Sequence, residues 1–303
     1  MEVKIFDSPL VDAAKRGNSD DIEKLSEVYV KKKTKKQEFY PALYIAAFQG
    51  YENIVRTLLS KGADPNYCLQ GCLPPLHAAA QKGRLSIAKL LLDHGADVNP
   101  KLRGQYGRSR ISEKAEYFSS PLLTAARGGH AKMVQMLLDK GADINARLNS
   151  TSVKVPHQIE RLFAFGDYSD SNISSNSSIL GYTPLHFAIE AGEKSVVKLL
   201  LKHGADVNSK SDMGESPLAL AVEKDEESII QILKKAGADM NVEIVQLMMF
   251  REMFGVGLKR KELISVKDSN GSNSEDKDSR EVIEMESTSI KKYKISDYSC
   301  IIS

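Results

Sequence analysis

The chain has 303 residues, 42% of them hydrophobic, with 42 Lys and Arg against 40 Asp and Glu for a formal charge of +2. That apolar share suffices for a packed core of one large or two ordinary domains, and the near-zero charge excludes a globally basic nucleic-acid binder. The charge is unevenly placed: residues 1–150 carry 23 basic and 16 acidic side chains, whereas residues 151–303 carry 19 and 24.

The first predicted element starts at Ser8-Pro9-Leu10, where proline suits the opening turn of a short helix, and Gly17 stops it. The same landmark returns 33 residues later at Ala42-Leu43-Tyr44, then at Pro75-Leu76-His77, Pro121-Leu122-Leu123, Pro184-Leu185-His186 and Pro217-Leu218-Ala219. A second landmark, Gly-Ala-Asp, begins at Gly62, Gly95, Gly141, Gly204 and Gly237. From the second unit on, both landmarks advance by 33, 46, 63 and 33 residues, so the units keep a constant internal length and all variation falls in the joints. Within a unit, Thr183 to Gly192 predicts one short helix, and the apolar run Val196–Leu201 predicts a second that ends at Gly204. Asp206-Val-Asn208 then enters a tight turn with local side-chain hydrogen bonds.

A unit of 33 residues built as turn, helix, helix, with Thr183-Pro-Leu-His-Phe-Ala188 and Pro74-Pro-Leu-His-Ala-Ala79, resembles the ankyrin repeat. The resemblance implies an all-α ankyrin-repeat solenoid with hairpin-like turn tips. The expected domains are a degenerate capping repeat at 1–33, five repeats over 34–241 and a C-terminal capping helix region at 242–266. Insertions are expected near 100–112 and 146–175, and a disordered tail over 267–303. It further implies a protein-binding face on the first helices and turn tips. The positions mapped onto that face are Lys15, Arg16, Tyr40, Phe48, Leu73, Gln81, Lys82, Arg127, Tyr182, Glu190, Glu215 and Glu223. The row runs from basic to acidic, with Tyr40, Phe48, Leu73 and Tyr182 expected as apolar anchors. The first insertion adds Arg103, Tyr106, Arg108 and Arg110, suited to an acidic segment, and the second adds Phe163 and Phe165.

No catalytic set stands outside this pattern. His77, His94, His130, His186 and His203 occupy recurring positions of the repeat, which makes them packing or hydrogen-bonding residues. Cys68 and Cys72 form a lone pair without the second pair a zinc site needs, so no metal or cofactor is expected. An enzyme would have to place its chemistry in the second insertion, around His157, Glu160 and Asp167, with neither nucleophile nor metal partner. Three cysteines, an odd number, give no disulfide framework. With no apolar leader and no apolar run long enough to span a membrane, the expectation is a reducing cytosol.

The last four residues, Cys300-Ile-Ile-Ser303, resemble a prenylation box, with Lys291, Lys292 and Lys294 upstream as a weak second membrane signal. The composition resembles that of host-targeted bacterial ankyrin effectors. The expected function is a non-enzymatic scaffold or adaptor for a protein partner, monomeric, at the cytoplasmic face of a eukaryotic membrane. Neither a nucleic acid nor a small-molecule substrate is expected. The alternative is a soluble inhibitor or nuclear cofactor that uses the Lys31–Lys36 run for nuclear import.

Overall fold

A computed structural model describes residues 8–31, 39–68, 73–100, 102–103, 116–117, 120–148, 179–240 and 245. Among them are twelve helices in six consecutive pairs. The first helices are α1 (Pro9–Arg16), α3 (Phe39–Gln49), α5 (Pro75–Gln81), α7 (Pro121–Arg127), α9 (Pro184–Glu190) and α11 (Pro217–Glu223). The second helices are α2 (Ser19–Lys31), α4 (Glu52–Ser60), α6 (Leu85–Asp93), α8 (Ala131–Asp139), α10 (Lys194–Lys202) and α12 (Glu227–Lys235). Each first helix packs on its own second helix and on the first helix of the next unit, which makes two layers. All twelve belong to one unit of the chain, Met1–Ile244.

Local chemistry sets the helix ends. Proline stands in the first turn of α1, α5, α7, α9 and α11, where its missing N–H removes no helical bond. The hydroxyls of Ser8, Ser120 and Ser216 accept from the backbone three residues on, at 3.2 to 3.3 Å. In the second unit the equivalent position is Pro41, which has no hydroxyl to offer as a cap. There the helix begins at Phe39, two residues before Pro41, and takes Pro41 into its first turn, whereas Pro74 at the same position of the third unit precedes a helix that starts at Pro75.

The core lies between the layers. The leucine of each first-helix landmark (Leu10, Leu43, Leu76, Leu122, Leu185, Leu218) is fully or almost fully buried, and so are Ile54, Ile87, Val134, Val197 and Ile230 of the second helices. Buried alanine pairs such as Ala46-Ala47 and Ala125-Ala126 let the helices approach closely.

The stop glycine of each first helix serves the neighbouring unit as well as its own. A Cβ on Gly129, whose φ is +69°, would stand 2.5 Å from the Glu193 side chain. Glu193 is the residue that precedes α10, and Gly17, Gly50, Gly83 and Gly192 receive Tyr51, Arg84, His130 and Glu226 in the same way.

The insertions differ in detail from the sequence expectation. In the first, β1 (Leu102–Arg103) pairs antiparallel with β2 (Glu116–Tyr117), so the stem extends past 112 into the start of the fourth unit. In the second, Leu148 accepts from Gly181 N–H at 2.8 Å and donates to the Tyr182 carbonyl at 2.9 Å. This closes the segment's base at 148 and 181 rather than at 146 and 175. The expected capping helix and tail lie outside the described residues, apart from Val245.

Candidate protein-binding surface

The turns between units carry a repeated polar ladder. Within the four Gly-Ala-Asp-x-Asn turns that are wholly described, the aspartate carboxylate accepts from the backbone N–H of the asparagine two residues on, as in Asp64 to Asn66 at 2.9 Å and Asp143 to Asn145 at 3.0 Å. The asparagine then reaches the next unit. Asn66 donates to the Gly95 carbonyl and accepts from Asp97 N–H, both at 2.7 Å. Asn99 repeats the pair with Gly141 and Asp143 across the first insertion, at 2.8 and 2.9 Å. Asn145 accepts from Asp206 N–H across the second, at 3.0 Å. The first insertion therefore lengthens the chain between bonded atoms without changing the pair of bonds, and the second keeps the accepting half of the pair. The expectation of purely local bonding covers only the aspartate half of this arrangement.

Buried polar groups form a second set of links. His186 is fully buried and receives on Nδ1 both the Thr183 N–H (3.3 Å) and the Thr183 hydroxyl (2.9 Å). Its other nitrogen, Nε2, therefore carries the hydrogen and donates to the Glu215 carbonyl of the next unit at 3.2 Å. Burial lowers the His186 pKa to about 4, so the ring is neutral near pH 7. His130 bonds the Gln81 carbonyl at 2.9 Å, His94 the Leu90 carbonyl at 2.8 Å and His203 the Gln135 side chain at 3.2 Å. None of these histidines is arranged for catalysis. Burial and the nearby Asp64 carboxylate raise the Cys68 pKa, which keeps its thiol protonated. Among the described residues no three His, Cys, Asp or Glu side chains gather as metal ligands, and no helix is long and apolar enough to cross a membrane.

The row expected to bind a partner divides in two. Tyr182 and Glu215 are 4% and 8% exposed, and the Tyr182 hydroxyl donates to the Glu215 carboxylate at 2.6 Å. Tyr182 also stacks on His186, with ring centroids 5.0 Å apart. Tyr40 is 3% exposed, sits in the first turn of α3, and donates to the Leu73 carbonyl at 3.0 Å. Both tyrosines thus bond the residue 33 positions on. The expectation that Tyr40 and Tyr182 stand as open anchors, and that Glu215 lends its charge to the face, is corrected: these side chains join one unit to the next. Phe48 is also buried, under the Lys82 ammonium, which lies 4.7 Å from its ring centre, and Leu73 is half-buried.

The remainder of the row is accessible. Arg16, Lys82 and Glu190 are exposed, and Lys15, Gln81, Arg127 and Glu223 are half-buried. Lys15 lies 3.5 Å from Asp12, Arg16 lies 3.7 Å from Asp21 and Glu190 lies 4.0 Å from Lys224. With Glu215 withdrawn and Lys224 beside Glu190, the acidic end is weaker than the sequence implied. Of the insertion residues, Arg103 lies in β1, while Tyr106, Arg108, Arg110, Phe163 and Phe165 lie outside the described residues, as do His157, Glu160, Asp167 and Cys300.

Comparison with known proteins agrees with the repeat geometry. The family described as ankyrin repeats (3 copies) matches residues 10–101 and 154–244, and that described as ankyrin repeat matches 119–149. A stretch of 31 residues, 10% of this chain, is 64% identical to delta-latroinsectotoxin-Lt1a of Latrodectus tredecimguttatus. The chain spans only 3% of that relative's length, so the likeness is that of about one unit. With six helix pairs stacked through recurring asparagine, histidine and glycine contacts, and with family matches over most of its length, the chain belongs to the ankyrin-repeat family.

Proposed function

We propose that the chain is a protein-binding scaffold without chemistry of its own, and that its partner lies along the last turns of the first helices. Ankyrin repeats generally mediate protein–protein binding. The observation that carries the reading here is the recurrence of accessible polar side chains in the two positions before the stop residue of each first helix, among them Arg16, Gln49, Lys82, Arg127, Glu190 and Glu223. The buried Tyr40, Tyr182, His186 and Glu215 are committed to links between units. The sign of the charge changes along this row, so the partner presents acidic groups to the first four units. Oriented charge of this kind speeds association more than it deepens affinity. Once a partner has been captured from eukaryotic cytosol, reversing Lys82 and Arg127 to Glu lowers its on-rate at low salt by about tenfold. An unchanged on-rate refutes the placement.

The finer reading adds a membrane tether. Where Ser303 is the final residue of the mature chain, Cys300-Ile-Ile-Ser303 is a substrate for prenylation, and Lys291, Lys292 and Lys294 add attraction to anionic lipid. The scaffold then holds its target against a eukaryotic membrane, as a host-delivered effector would. Cys300→Ser moves the protein from the membrane to the soluble fraction of such cells, and an unaltered membrane fraction refutes the tether.

A further inference from the structure

The second-helix layer carries a feature that the row above does not use. Lys194, Lys198 and Lys202 stand at one-turn intervals on α10, all three exposed, about 6 Å apart along the axis. Among the described residues none of the three forms an ion pair. Helix α10 contains no acidic residue, whereas α2, α4, α6, α8 and α12 each contain at least one. Lys202 suits the negative end of the helix dipole, but Lys194 occupies the positive end, where a cation is unfavourable. Folding therefore does not account for the stripe.

The neighbours define its width. On α8 the Asp139 carboxylate accepts from Gln135 at 2.7 Å, and on α12 the Glu227 carboxylate accepts from Gln231 at 2.8 Å. Glu193, next to Lys194 in sequence, lies against Gly129 of the preceding unit. At the positions in register with the three lysines, α8 has Ala131, Gln135 and Asp139 and α12 has Glu227, Gln231 and Lys235, so the cationic strip is one helix wide except at Lys202, which Lys235 matches on the next helix, and Glu226 approaches the Lys194 end at Gly192. A flat anionic bilayer laid on this layer would meet Asp139 and Glu227 together with the lysines. A single-stranded nucleic acid would need aromatic platforms and arginines, and α10 has neither. A narrow strip of evenly spaced ammonium groups fits a narrow acidic chain.

We propose that α10 is a second docking surface, on the opposite layer from the first-helix row, for an acidic peptide segment of a partner protein. One carboxylate per helical turn, or every second residue of an extended strand, meets Lys194, Lys198 and Lys202 in register.

The test uses the full chain and a fluorescent deca-glutamate peptide, followed by anisotropy at low salt. Changing Lys194, Lys198 and Lys202 together to Gln weakens peptide binding about tenfold, the scale of three exposed ion pairs. Changing Lys82 and Arg127 to Gln leaves it within about twofold, which separates this surface from the first-helix row. Circular dichroism of each variant confirms that the fold is kept. Loss from the Lys82 and Arg127 variant alone, or equal binding by wild type and the α10 variant, overturns the proposal. So does α10-dependent binding that is tighter to phosphatidylserine vesicles or to oligo-dT than to the peptide.

Discussion

Replacing Asn99 with alanine tests whether the polar ladder holds across an inserted joint. Its side chain donates to the Gly141 carbonyl at 2.8 Å and accepts from Asp143 N–H at 2.9 Å, with the first insertion between the two turns. Asn66 makes the same pair at a joint without insertion, at 2.7 Å for both bonds. A hydrogen bond of this kind contributes about 0.5–1.5 kcal/mol net, and exposure places these near the lower end, so either alanine costs about 1–2 kcal/mol. The insertion itself does not enter the difference. Its closure entropy is present in wild type and variant alike, and grows by only about 0.6 kcal/mol for each doubling of length. With a urea dependence of about 2–3 kcal/mol per molar, each variant lowers the unfolding midpoint by about 0.5 M. Equal drops for Asn66→Ala and Asn99→Ala, read by circular dichroism, are the expected result. A clear drop for Asn66→Ala beside an unmoved midpoint for Asn99→Ala would show that the insertion breaks the ladder, and the reasoning would fail.

The buried polar links give two further predictions. The folded-state pKa of His186 is about 4 against an ordinary 6.5, so below 6.5 the unfolded chain binds the proton first. Stability from this residue is therefore complete above pH 6.5 and is lost as the pH falls toward 4, by up to about 3 kcal/mol. Urea midpoints at pH 7 and pH 4.5 differ less in His186→Gln than in wild type, and equal differences would exclude His186 as the source. Tyr182→Phe removes a hydroxyl donor to a buried carboxylate and costs about 1.5–3 kcal/mol, whereas Tyr40→Phe removes a bond to a neutral carbonyl and costs about 0.5–1.5 kcal/mol. Thermal unfolding ranks Tyr182→Phe below Tyr40→Phe, and the reverse order would contradict the role given to Glu215.

Most of the helical framework is legible in the sequence because its signals are local and repeated. Proline at the first turn and glycine at the stop act within a few residues, so the starts of α1, α5, α7, α9 and α11 can be read directly. The early start of α3 could not, because Pro74 stands at the position of Pro41 in the next unit and there the helix starts at Pro75. The binding face was less legible, for a related reason. Tyr40 and Tyr182 find their partners 33 residues away, one full period on, and a reading confined to one unit assigns both to solvent. A signal for this was nevertheless present, in the placement of Tyr182 and Glu215 at the same position of successive units. The lysines of α10 were visible in the same way, as every fourth residue of one helix.

The stop glycines show how such links depend on an open site at the end of each first helix. Gly17, Gly50, Gly83, Gly129 and Gly192 each leave room for a side chain that starts the next unit's second helix. The sixth unit has Asp225 at that position, with φ at +60°, the left-handed backbone of a stop glycine. Asp tolerates this conformation better than most residues, so the turn survives the substitution. Its side chain, however, stands where the five glycines leave room for a neighbour. A seventh unit packed like the others would meet that carboxylate at its N-cap. Asp225 thus retains the geometry a stop requires within its own unit and gives up the space that a following unit would use.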